Sequence, residues 1–413
     1  MKSSNFKHTE LGTIPDDWGI KEFQDVMTGF FSGATPYRGR PDYYKGEIKW
    51  ITSGELNYNI ITDTNEKINE EAVRNTNLKI LPVGTFLFAI TGLEAEGTRG
   101  SCAITGVEAT TNQSCMALFP KEALDNNYLY HFYVWQGKKL AIKYCQGTKQ
   151  QSYTAKTART LPIILPPTKS EQTAIATALS DADALIGNLE KLILKKQNIK
   201  KGVMQELLTG KKRLEGFNGK WRKRRIIELG NSFAGGTPST FNSKYWNGNI
   251  IWLPSGRIQN NILRNTGTET TITELGLKES AAKLIKPKSV LIAITGATCG
   301  NIGLLLFQAS ANQSVIAIEP DDQNNATFLY YLLIMNRRKI LQLQTGSAQG
   351  GVNLNSIRKL KLVMPDLKEQ EAITNIIEGL DTQIEDLESK LAKFKMIKQG
   401  MMQALLTGKI RLI

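Results

Sequence analysis

The sequence has few of the residues that build disulfide frameworks, metal cages or membrane spans. Its four cysteines show no C-x-x-C spacing, and it has two histidines among 413 residues. This argues against a disulfide framework and against a structural zinc site. The longest apolar run, Ala326–Met335, is about half the length that a membrane-spanning helix needs. The first ten residues lack the apolar segment of a secretory signal. Together these absences predict a cytoplasmic protein.

Motifs of nucleic-acid enzymes are also missing. No G-x-x-x-x-G-K-[ST] loop occurs, and Pro166-Pro167 lacks the neighbours of an N/D-P-P-Y/F methyltransferase motif. Asp42, Glu47 and Lys49 spell PD…ExK, a set that binds a catalytic metal in many nucleases. However, Asp42 and Glu47 are very close in sequence, and the matching stretch of the second half has no carboxylate. We therefore predict a non-catalytic protein with no metal or cofactor of its own. A nuclease or methyltransferase with an unrecognised site is the alternative.

Positive charge is the main bias in composition. Lysine and arginine exceed aspartate and glutamate by 14, and the sequence pI is near 9.4. Such a balance concerns association and not the fold. A polyanion is the expected partner, and for a cytoplasmic protein that polyanion is nucleic acid.

An internal repeat decides the predicted fold. Gly202–Leu214 reads GVMQELLTGKKRL, and 198 residues later Gly400–Leu412 reads GMMQALLTGKIRL. Earlier segments correspond as well, such as IKWITSGELN with IIWLPSGRIQ and TNQSCMALFP with ANQSVIAIEP. Short apolar strands, including Val83–Gly92, alternate with helical stretches such as Asn126–Tyr144, in which His131 is expected to be packed. The order predicts two similar globules of roughly 150 residues with a mixed α/β (α+β) fold.

A long helix is predicted after each globule. Thr168–Glu171 and Asp366–Glu369 are capping boxes that follow prolines, and Gly210 and Gly408 are glycine stops. The roughly 40 residues between these signals would form a helix about 60 Å long. Apolar residues recur in alternating steps of three and four, which predicts coiled-coil packing. These positions are Leu179, Ala182, Ile186, Leu189 and Ile193 in the first copy, and Ile377, Leu380, Ile384, Leu387, Leu391 and Phe394 in the second. The connectivity favours an antiparallel pair with a globule at each end.

Loops near the start of each half have the composition of DNA-contacting loops, with small residues, hydroxyls, aromatics and cations. GATPYRGR corresponds to GGTPSTFNSK and SGE to SGR, so the frame is kept while side chains change. Since arginine reads guanine and glutamate accepts from cytosine, such changes would alter the sequence read. The alternative is that these are ordinary variable surface loops. The predicted DNA-contacting residues are Thr35, Tyr37, Arg38, Arg40, Ser53, Glu55, Arg99, Lys149, Gln150, Gln151, Tyr153, Lys156, Thr237, Ser239, Thr240, Lys244, Ser255, Arg257, Gln259, Thr298, Gln349 and Asn353.

Taken together, these features resemble the DNA-specificity subunit of type I restriction-modification systems. The resemblance rests on the two variable globules, the two long helices and the phrases LPPTKSEQ, MPDLKEQ, MQELLTGKKRL and MQALLTGKIRL. ELGTIPDDW and EGFNGKWRKRRIIELG are similar to that family's domain openings. The resemblance implies target recognition domains at 1–166 and 211–365, and spacer helices at 167–210 and 366–413.

The family's properties supply further expectations. Each globule would read one half of a bipartite asymmetric site in double-stranded DNA, and the helices would set the spacer between the halves. Two modification subunits, which bind S-adenosylmethionine and methylate adenine, would dock on the chain, followed by two restriction (motor-nuclease) subunits. A coiled-coil scaffold that binds proteins alone is a further alternative.

Overall fold

The computed structural model describes residues 5–147, 151–267, 269–344 and 350–412. The chain divides into two compact units, Met1–Glu190 with Ser389–Ile413, and Lys191–Glu388. Each unit contains one globule, the first part of the long helix that follows it and the last part of the other long helix. This division cuts across the helices, whereas the expected domain boundaries lie at the helix starts. Those boundaries remain a prediction.

The first unit is built from short strands and a few helices before its long helix. Its strands are β1 (Phe6–Thr9), β2 (Gly12–Pro15), β3 (Gly19–Glu22), β4 (Met27–Ser32), β5 (Ile48–Ile51), β6 (Asn59–Ile61), β7 (Glu66–Ile68), β8 (Phe86–Ala89), β9 (Cys102–Thr105), β10 (Ala109–Thr111), β11 (Cys115–Pro120) and β12 (Pro162–Leu165). Its helices are α1 (Phe23–Val26), α2 (Glu70–Asn75), α3 (Asn126–Tyr144), α4 (Ala155–Arg159) and α5 (Lys169–Leu207), with 3₁₀ turns at Pro41–Tyr44 and Ser53–Glu55.

A five-stranded sheet forms the centre of the first unit, in the order β4-β11-β8-β9-β6. Its strands pair antiparallel except β6 with β9, which is parallel. The other strands form a three-stranded sheet, β10-β5-β7, and two pairs, β3-β12 and β1-β2. The central strands β8 and β9 are buried along their whole length, and α3 packs against them. Burial on both faces explains why these strands read as continuous apolar runs.

The second unit repeats these elements. Its strands are β13 (Arg222–Arg225), β14 (Gly230–Ala234), β15 (Trp246–Leu253), β16 (Asn261–Leu263), β17 (Thr271–Ile272), β18 (Ser289–Ala293), β19 (Ile302–Leu305), β20 (Ser310–Ala311), β21 (Val315–Pro320) and β22 (Lys361–Met364). Its helices are α6 (Glu274–Lys278), α7 (Ala326–Met335), α8 (Arg337–Leu341), α9 (Leu354–Lys359) and α10 (Leu367–Leu405), with 3₁₀ turns at Ile226–Glu228, Ser243–Tyr245, Ser255–Arg257 and Gly296–Thr298.

The second unit also has the strand order of the first. Its five-stranded sheet runs β14-β21-β18-β19-β16, again with one parallel pair, β16 with β19. The three-stranded sheet β17-β15-β20 and the pair β13-β22 take the places of their counterparts. The mixed α/β fold and its internal duplication are therefore confirmed.

The long helices α5 and α10 each contain 39 residues, as the capping and glycine signals predicted. Gly210 and Gly408 end them with φ of 67°, a conformation that favours glycine. In the first unit Lys395 bonds to Glu190 at 2.7 Å and Lys398 pairs with Asp183, so residue numbers rise along one helix and fall along the other. The second unit has the same sense, which shows antiparallel pairing within each unit.

The predicted heptad positions form a buried or half-buried stripe on each long helix. Ile186 and Ile193 of α5, and Ile377 and Ile384 of α10, are buried, with at most 9% of each residue exposed. The remaining positions of both stripes are buried or half-buried. The spacing therefore predicted the buried faces of both helices, although Leu179 and Ile377 pack into the cores of the globules.

The capping boxes were half right. The Thr168 hydroxyl accepts from the Glu171 backbone N–H at 3.2 Å, as expected for an N-cap. The Glu171 carboxylate, however, does not turn back to the helix start. It binds the Arg411 guanidinium, whose Nη2 lies 2.8 Å from Glu171 Oε2 and whose Nη1 also lies 3.1 Å from Asp17. The reason is that a bidentate arginine is a stronger partner for a buried carboxylate than one backbone amide.

The second unit contains the same arrangement. The Asp366 carboxylate caps α10 by accepting from the Glu369 N–H at 3.1 Å. The Glu369 carboxylate accepts from Arg213 Nε at 2.5 Å and Nη2 at 2.6 Å, and from Trp221 Nε1 at 3.2 Å. We call Arg213 and Arg411 the clasp arginines. Each belongs to the repeated LTGKxRL segment and fixes the start of the long helix in its own unit, an arrangement that sequence reasoning missed.

Candidate nucleic-acid interface

In each unit, the same set of hydrogen bonds holds the loop that is predicted to contact DNA. We call this set of bonds, together with the glycine that begins the loop, the support. Thr35 donates its hydroxyl to Gln113 Oε1 at 2.5 Å in the first unit. Thr237 makes the equivalent hydrogen bond to Gln313 in the second. These glutamines belong to the repeated N-Q-S sequence, whose asparagine also accepts from the serine N–H two residues on. Thr35 and Thr237 are thus half-buried frame residues, with little free surface for a ligand.

Close backbone packing explains the glycine at the start of each loop. A Cβ added at Gly33 would lie 1.8 Å from the Thr111 carbonyl oxygen, and one at Gly235 would lie 2.2 Å from the Ala311 carbonyl oxygen. No larger residue fits at that distance. A tryptophan indole donates to a loop carbonyl in each unit, at 3.1 Å in the first and 3.0 Å in the second. The loop backbone is therefore the same although the side chains differ.

The first loop presents an aromatic ring and two paired cations. Tyr37 is 73% exposed. Arg38 forms a bidentate ion pair with Glu66, at 2.5 and 2.9 Å, and lies over the Tyr44 ring at 4.4 Å. This guanidinium holds the pKa of Glu66 below its usual range. Because both side chains are exposed, this ion pair contributes little to stability.

Arg40 is the second cation of this loop. It is exposed and binds Asp42, with Nε 2.9 Å from Oδ1. The pKa of Asp42 is lowered by that hydrogen bond. Asp42 thus serves as the partner of a loop arginine, and Glu47, with its side chain 95% exposed, lies near Lys67 at 3.9 Å. The three ionisable residues of PD…ExK therefore have different partners, Arg40 for Asp42, Lys67 for Glu47 and Asp63 for Lys49.

The second loop is uncharged except for one lysine. Ser239, Thr240 and Lys244 are exposed. Trp246 Nε1 donates to the Ser239 carbonyl at 3.0 Å and holds the backbone in place. Phe241, absent from the predicted set, is fully exposed.

Glu55 does not fit its predicted role as a base reader. Its Oε2 accepts from the Thr52 N–H and the Thr52 hydroxyl, both at 2.8 Å, and its Oε1 accepts from the Asn65 N–H at 2.8 Å. The carboxylate therefore stabilises the turn at Ser53–Glu55 and joins it to the segment before β7. A capping role explains the acid here, so we remove Glu55 from the predicted contacts.

At the corresponding turn of the second unit, Arg257 is exposed and lies 3.2 Å from Glu269. Gln259 donates its amide to the Gly256 carbonyl at 3.0 Å, and its side chain remains exposed. Ser53 and Ser255 begin the two 3₁₀ turns and are half-buried.

Two further predicted contacts, Tyr153 and Arg99, are structural. Tyr153 is 4% exposed, and its ring centroid lies 6.1 Å from that of Phe88, so it belongs to the core. Arg99 Nε donates to the Leu93 carbonyl at 2.8 Å and its Nη2 to the Glu94 carbonyl at 2.7 Å. Both are removed from the predicted set, because burial and local bonding explain them.

The remaining predicted residues have varied positions. Gln151 is half-buried and donates its N–H to the Glu94 carboxylate at 2.9 Å. Lys156 is exposed on α4, and Thr298 is half-buried in the turn at Gly296–Thr298. Asn353 caps α9 by accepting from the Ser356 N–H at 2.8 Å. The other three lie outside the described residues: Lys149, Gln150 and Gln349.

Within the described ranges, no group of three histidine, cysteine, aspartate or glutamate side chains is arranged to hold a metal ion. Among the same residues no helix is both long and apolar enough to cross a membrane. The loops therefore offer hydroxyls, amides, cations and aromatic rings on a fixed backbone. Such groups suit recognition of a polyanion.

Comparison with known proteins identifies the family to which the chain is similar. A model described as the type I restriction modification DNA specificity domain matches twice, at residues 15–198 and 218–394. The MjaIX type I specificity subunit of Methanocaldococcus jannaschii is 25% identical over 99% of this chain and 97% of its own length. The EcoR124I/EcoR124II specificity subunit of Escherichia coli is 24% identical over 62% of this chain and 65% of its own.

Solved structures agree in fold. The crystal structure of a type I restriction-modification S subunit from M. genitalium superposes with a TM-score of 0.62, at 15% identity, over 98% of this chain and 97% of that one. At this identity the match concerns the fold alone. The family model covers most of both halves, and the duplicated order of the sheets agrees with two matches. The chain belongs to the DNA-specificity subunits of type I restriction-modification systems.

Proposed function

We propose that the two globules, at 1–166 and 211–365, each read one half of a bipartite asymmetric site in double-stranded DNA. The observation that carries this proposal is the contrast within the loops. Hydrogen bonds and glycines of the support are the same in both units, while the exposed side chains differ, as Arg38 and the corresponding Thr240 do. Two similar supports with different surfaces suit two similar binding modes with different sequences.

The contacts proposed for base and phosphate recognition follow from exposure. We retain those predicted residues whose side chains are exposed and do not cap a helix, because they are free to reach a groove. These are Tyr37, Arg38, Arg40, Lys156, Ser239, Thr240, Lys244, Arg257 and Gln259. Arginines and the lysines supply phosphate contacts or guanine readout, and the hydroxyls and amide supply the remaining polar contacts.

The helix segments at 167–210 and 366–413 are proposed to set the spacer between the half-sites and to dock two modification subunits, followed by two restriction subunits. Exposed apolar side chains at Leu185, Leu192, Leu194 and Ile199 of α5, and at Met396 of α10, support a docking role. The cofactor S-adenosylmethionine would lie on the modification subunits. In this proposal the chain itself contributes recognition and assembly, catalyses no step, and acts in the cytoplasm.

Exchange of one globule tests the recognition model. The chain is assembled with its modification subunits, and methylated adenines are mapped across a genome. Replacing residues 1–160 by those of another family member should change one half-site and leave the other half-site and the spacer unchanged. A change in both half-sites would contradict the model of one domain for each half-site.

Salt dependence tests the phosphate contacts separately. Specific affinity should fall steeply with salt, and Lys244→Gln should reduce the slope of log K against log salt by about one unit. The exposed helix lysine Lys195 serves as the control, since Lys195→Gln should leave the slope unchanged. Affinity that is independent of salt would exclude this mode of binding.

A further inference from the structure

Two aromatic rings stand out by their exposure. Phe241 is fully exposed and Tyr37 is 73% exposed, more than the other large hydrophobic side chains in the described residues. Scattered exposed apolar residues need no special explanation. Phe241 and Tyr37 are not scattered in this way, because they lie in corresponding loops of the two units. Most other side chains of these loops differ between the units.

The two rings lie on the same four-residue turn. In the first unit the Arg40 N–H donates to the Tyr37 carbonyl at 3.1 Å, and in the second the Asn242 N–H donates to the Ser239 carbonyl at 3.3 Å. Phe241 is the third residue of its turn, and the third residue of the other turn is Gly39. We call these segments, 37–40 and 239–242, the aromatic turns.

Although their sequence positions differ, both rings lie on the same side of the turn, at its third residue. A Cβ added at Gly39 would lie 2.5 Å from Tyr37 Cε1 and 2.6 Å from its Cζ. The Tyr37 ring therefore covers the point at which the Phe241 side chain begins in the other unit. Each unit therefore has an exposed ring next to the third residue of the turn, supplied by the first residue in one unit and by the third in the other.

The backbone under each ring is fixed before any ligand binds. Tyr44 Oη donates to the Pro36 carbonyl at 2.5 Å, and its ring packs on Trp50 with centroids 5.9 Å apart. In the second unit Trp246, at the position of Tyr44, donates to the loop carbonyl and packs on Trp252 at 5.2 Å. Binding through these rings thus loses little backbone entropy.

Phenylalanine has no hydrogen-bonding group, so Phe241 cannot read the edge of a base. A fully exposed ring on a rigid turn can bind nucleic acid through the face of a base, by stacking or by insertion into a base step. Resting on the proposed DNA-recognition function, we propose that Phe241 and Tyr37 act as wedges, each unstacking one base step within the half-site read by its unit. Specificity would then depend on how easily that base step is deformed, in addition to the bases that the polar side chains contact.

The test uses the full chain assembled with its modification subunits and the DNA site found by mapping methylated adenines. Duplexes carry 2-aminopurine at one position at a time along each half-site, because its fluorescence rises when the base is unstacked. Apart from the target adenines, which methyltransferases flip out of the duplex, the wild-type complex should raise fluorescence at one step in each half-site. Phe241→Ala should abolish the rise in one half-site only and weaken specific binding about 5- to 150-fold, since stacking on an aromatic side chain contributes about 1–3 kcal/mol. Tyr37→Ala should do the same in the other half-site.

Matched variants make the result specific. Phe241→Trp should retain the fluorescence rise, and Phe6→Ala, which removes a 45% exposed phenylalanine outside the aromatic turns, should change neither signal nor affinity. Specific binding with no fluorescence rise outside the target adenines, or with affinity unchanged in Phe241→Ala, would overturn the wedge and leave the proposed function standing. A wild-type complex without sequence-specific binding would overturn the proposed function itself. Phe241→Ala that weakens subunit assembly alone would reassign the ring to a protein contact.

Discussion

At the scale of single residues, His131 shows how the two units solve one packing position differently. It is 1% exposed in α3, as expected for a packed residue, and its Nε2 lies 2.9 Å from the Ser180 hydroxyl. Burial lowers its pKa to about 4, while Asp183 at 3.9 Å opposes the shift and Lys398 and Asp125 act with opposite signs. In the second unit the position holds Tyr331, whose hydroxyl donates to Asp381 at 2.5 Å.

The depressed pKa of His131 predicts a pH dependence of stability. The unfolded chain binds a proton near pH 6.5 and the folded one near pH 4, so the full free energy of unfolding is present above pH 6.5. It should fall by about 3 kcal/mol as the pH drops from 6.5 to about 4. Chemical denaturation at several pH values measures this loss. His131→Gln should lose that part of the slope, whereas the exposed histidine variant His8→Gln should keep it. Equal slopes in His131→Gln and the parent would contradict the assignment.

The glycine under the first loop gives a second prediction at this scale. Gly33→Ala places a Cβ 1.8 Å from the Thr111 carbonyl, so the loop or β10 must move. We expect a loss of at least about 2 kcal/mol in the free energy of unfolding, together with loss of binding to one half-site. Gly54→Ala is the matched control, because its nearest neighbour would be 4.0 Å away. If both variants behave alike, close packing is not the reason for this glycine.

At the scale of elements, the clasp arginines join each long helix to its globule. Arg411 Nη2 binds Glu171, whose side chain is 1% exposed, and the guanidinium lies 5.7 Å from the Trp18 ring centroid. Removing one partner of a buried pair leaves a charge without compensation. This arrangement gives the LTGKxRL repeat a structural role inside each unit, in addition to any partner it docks.

Arg411→Ala should therefore destabilise the first unit by about 3 kcal/mol, seen as an early transition in thermal or denaturant unfolding. The exposed neighbour Lys409 is the control, and Lys409→Ala should leave that transition unchanged. Arg411→Ala combined with Glu171→Gln should recover part of the loss, because the uncompensated carboxylate is gone. An unchanged transition in Arg411→Ala would show that the clasp contributes no stability.

The helices were largely predictable from sequence, because their signals are local. Caps, glycine stops and heptads lie within one segment, and α5 and α10 begin and end near the residues that these signals indicated. The partner of Glu171 was not predictable, since Arg411 is 240 residues away and a local capping box explained the same glutamate.

For the loops, the repeat predicted which segments correspond but not which side chains are free. Tyr153 and Arg99 are of residue types that often contact DNA. However, Tyr153 is a core residue, and Arg99 donates hydrogen bonds to carbonyls of its own loop. Residue type does not reveal burial when a polar segment crosses the end of a buried strand. Phe241 was missed for the opposite reason, because an apolar residue is expected in the core.

At the scale of the whole molecule, helix length becomes the variable that fixes the spacer of the DNA site in the proposed function. One heptad inserted after Glu190 and another after Glu388 would lengthen both helices by about 10 Å, which is close to three base pairs of DNA. The mapped methylation sites should then keep both half-sites and gain about three base pairs between them.

A heptad in one helix alone provides the control for this experiment. It preserves the apolar stripe of that helix but leaves the other helix seven residues shorter. The two clasp arginines therefore cannot both reach their glutamates. We expect reduced stability and no new methylation site. If the double insertion keeps the original spacer, the helices do not determine it.

The division of the chain into units has a consequence for biosynthesis. Lys191–Glu388 is a continuous segment, so the second unit can fold as soon as this segment has left the ribosome. The first unit also needs Ser389–Ile413, which includes the arginine that binds Glu171 and Asp17. The globule made first is therefore completed last. Until that last segment is made, the face of α5 that contains Ile186, which is buried in the finished unit, stays exposed. In this state the protein is accessible to chaperones and proteases.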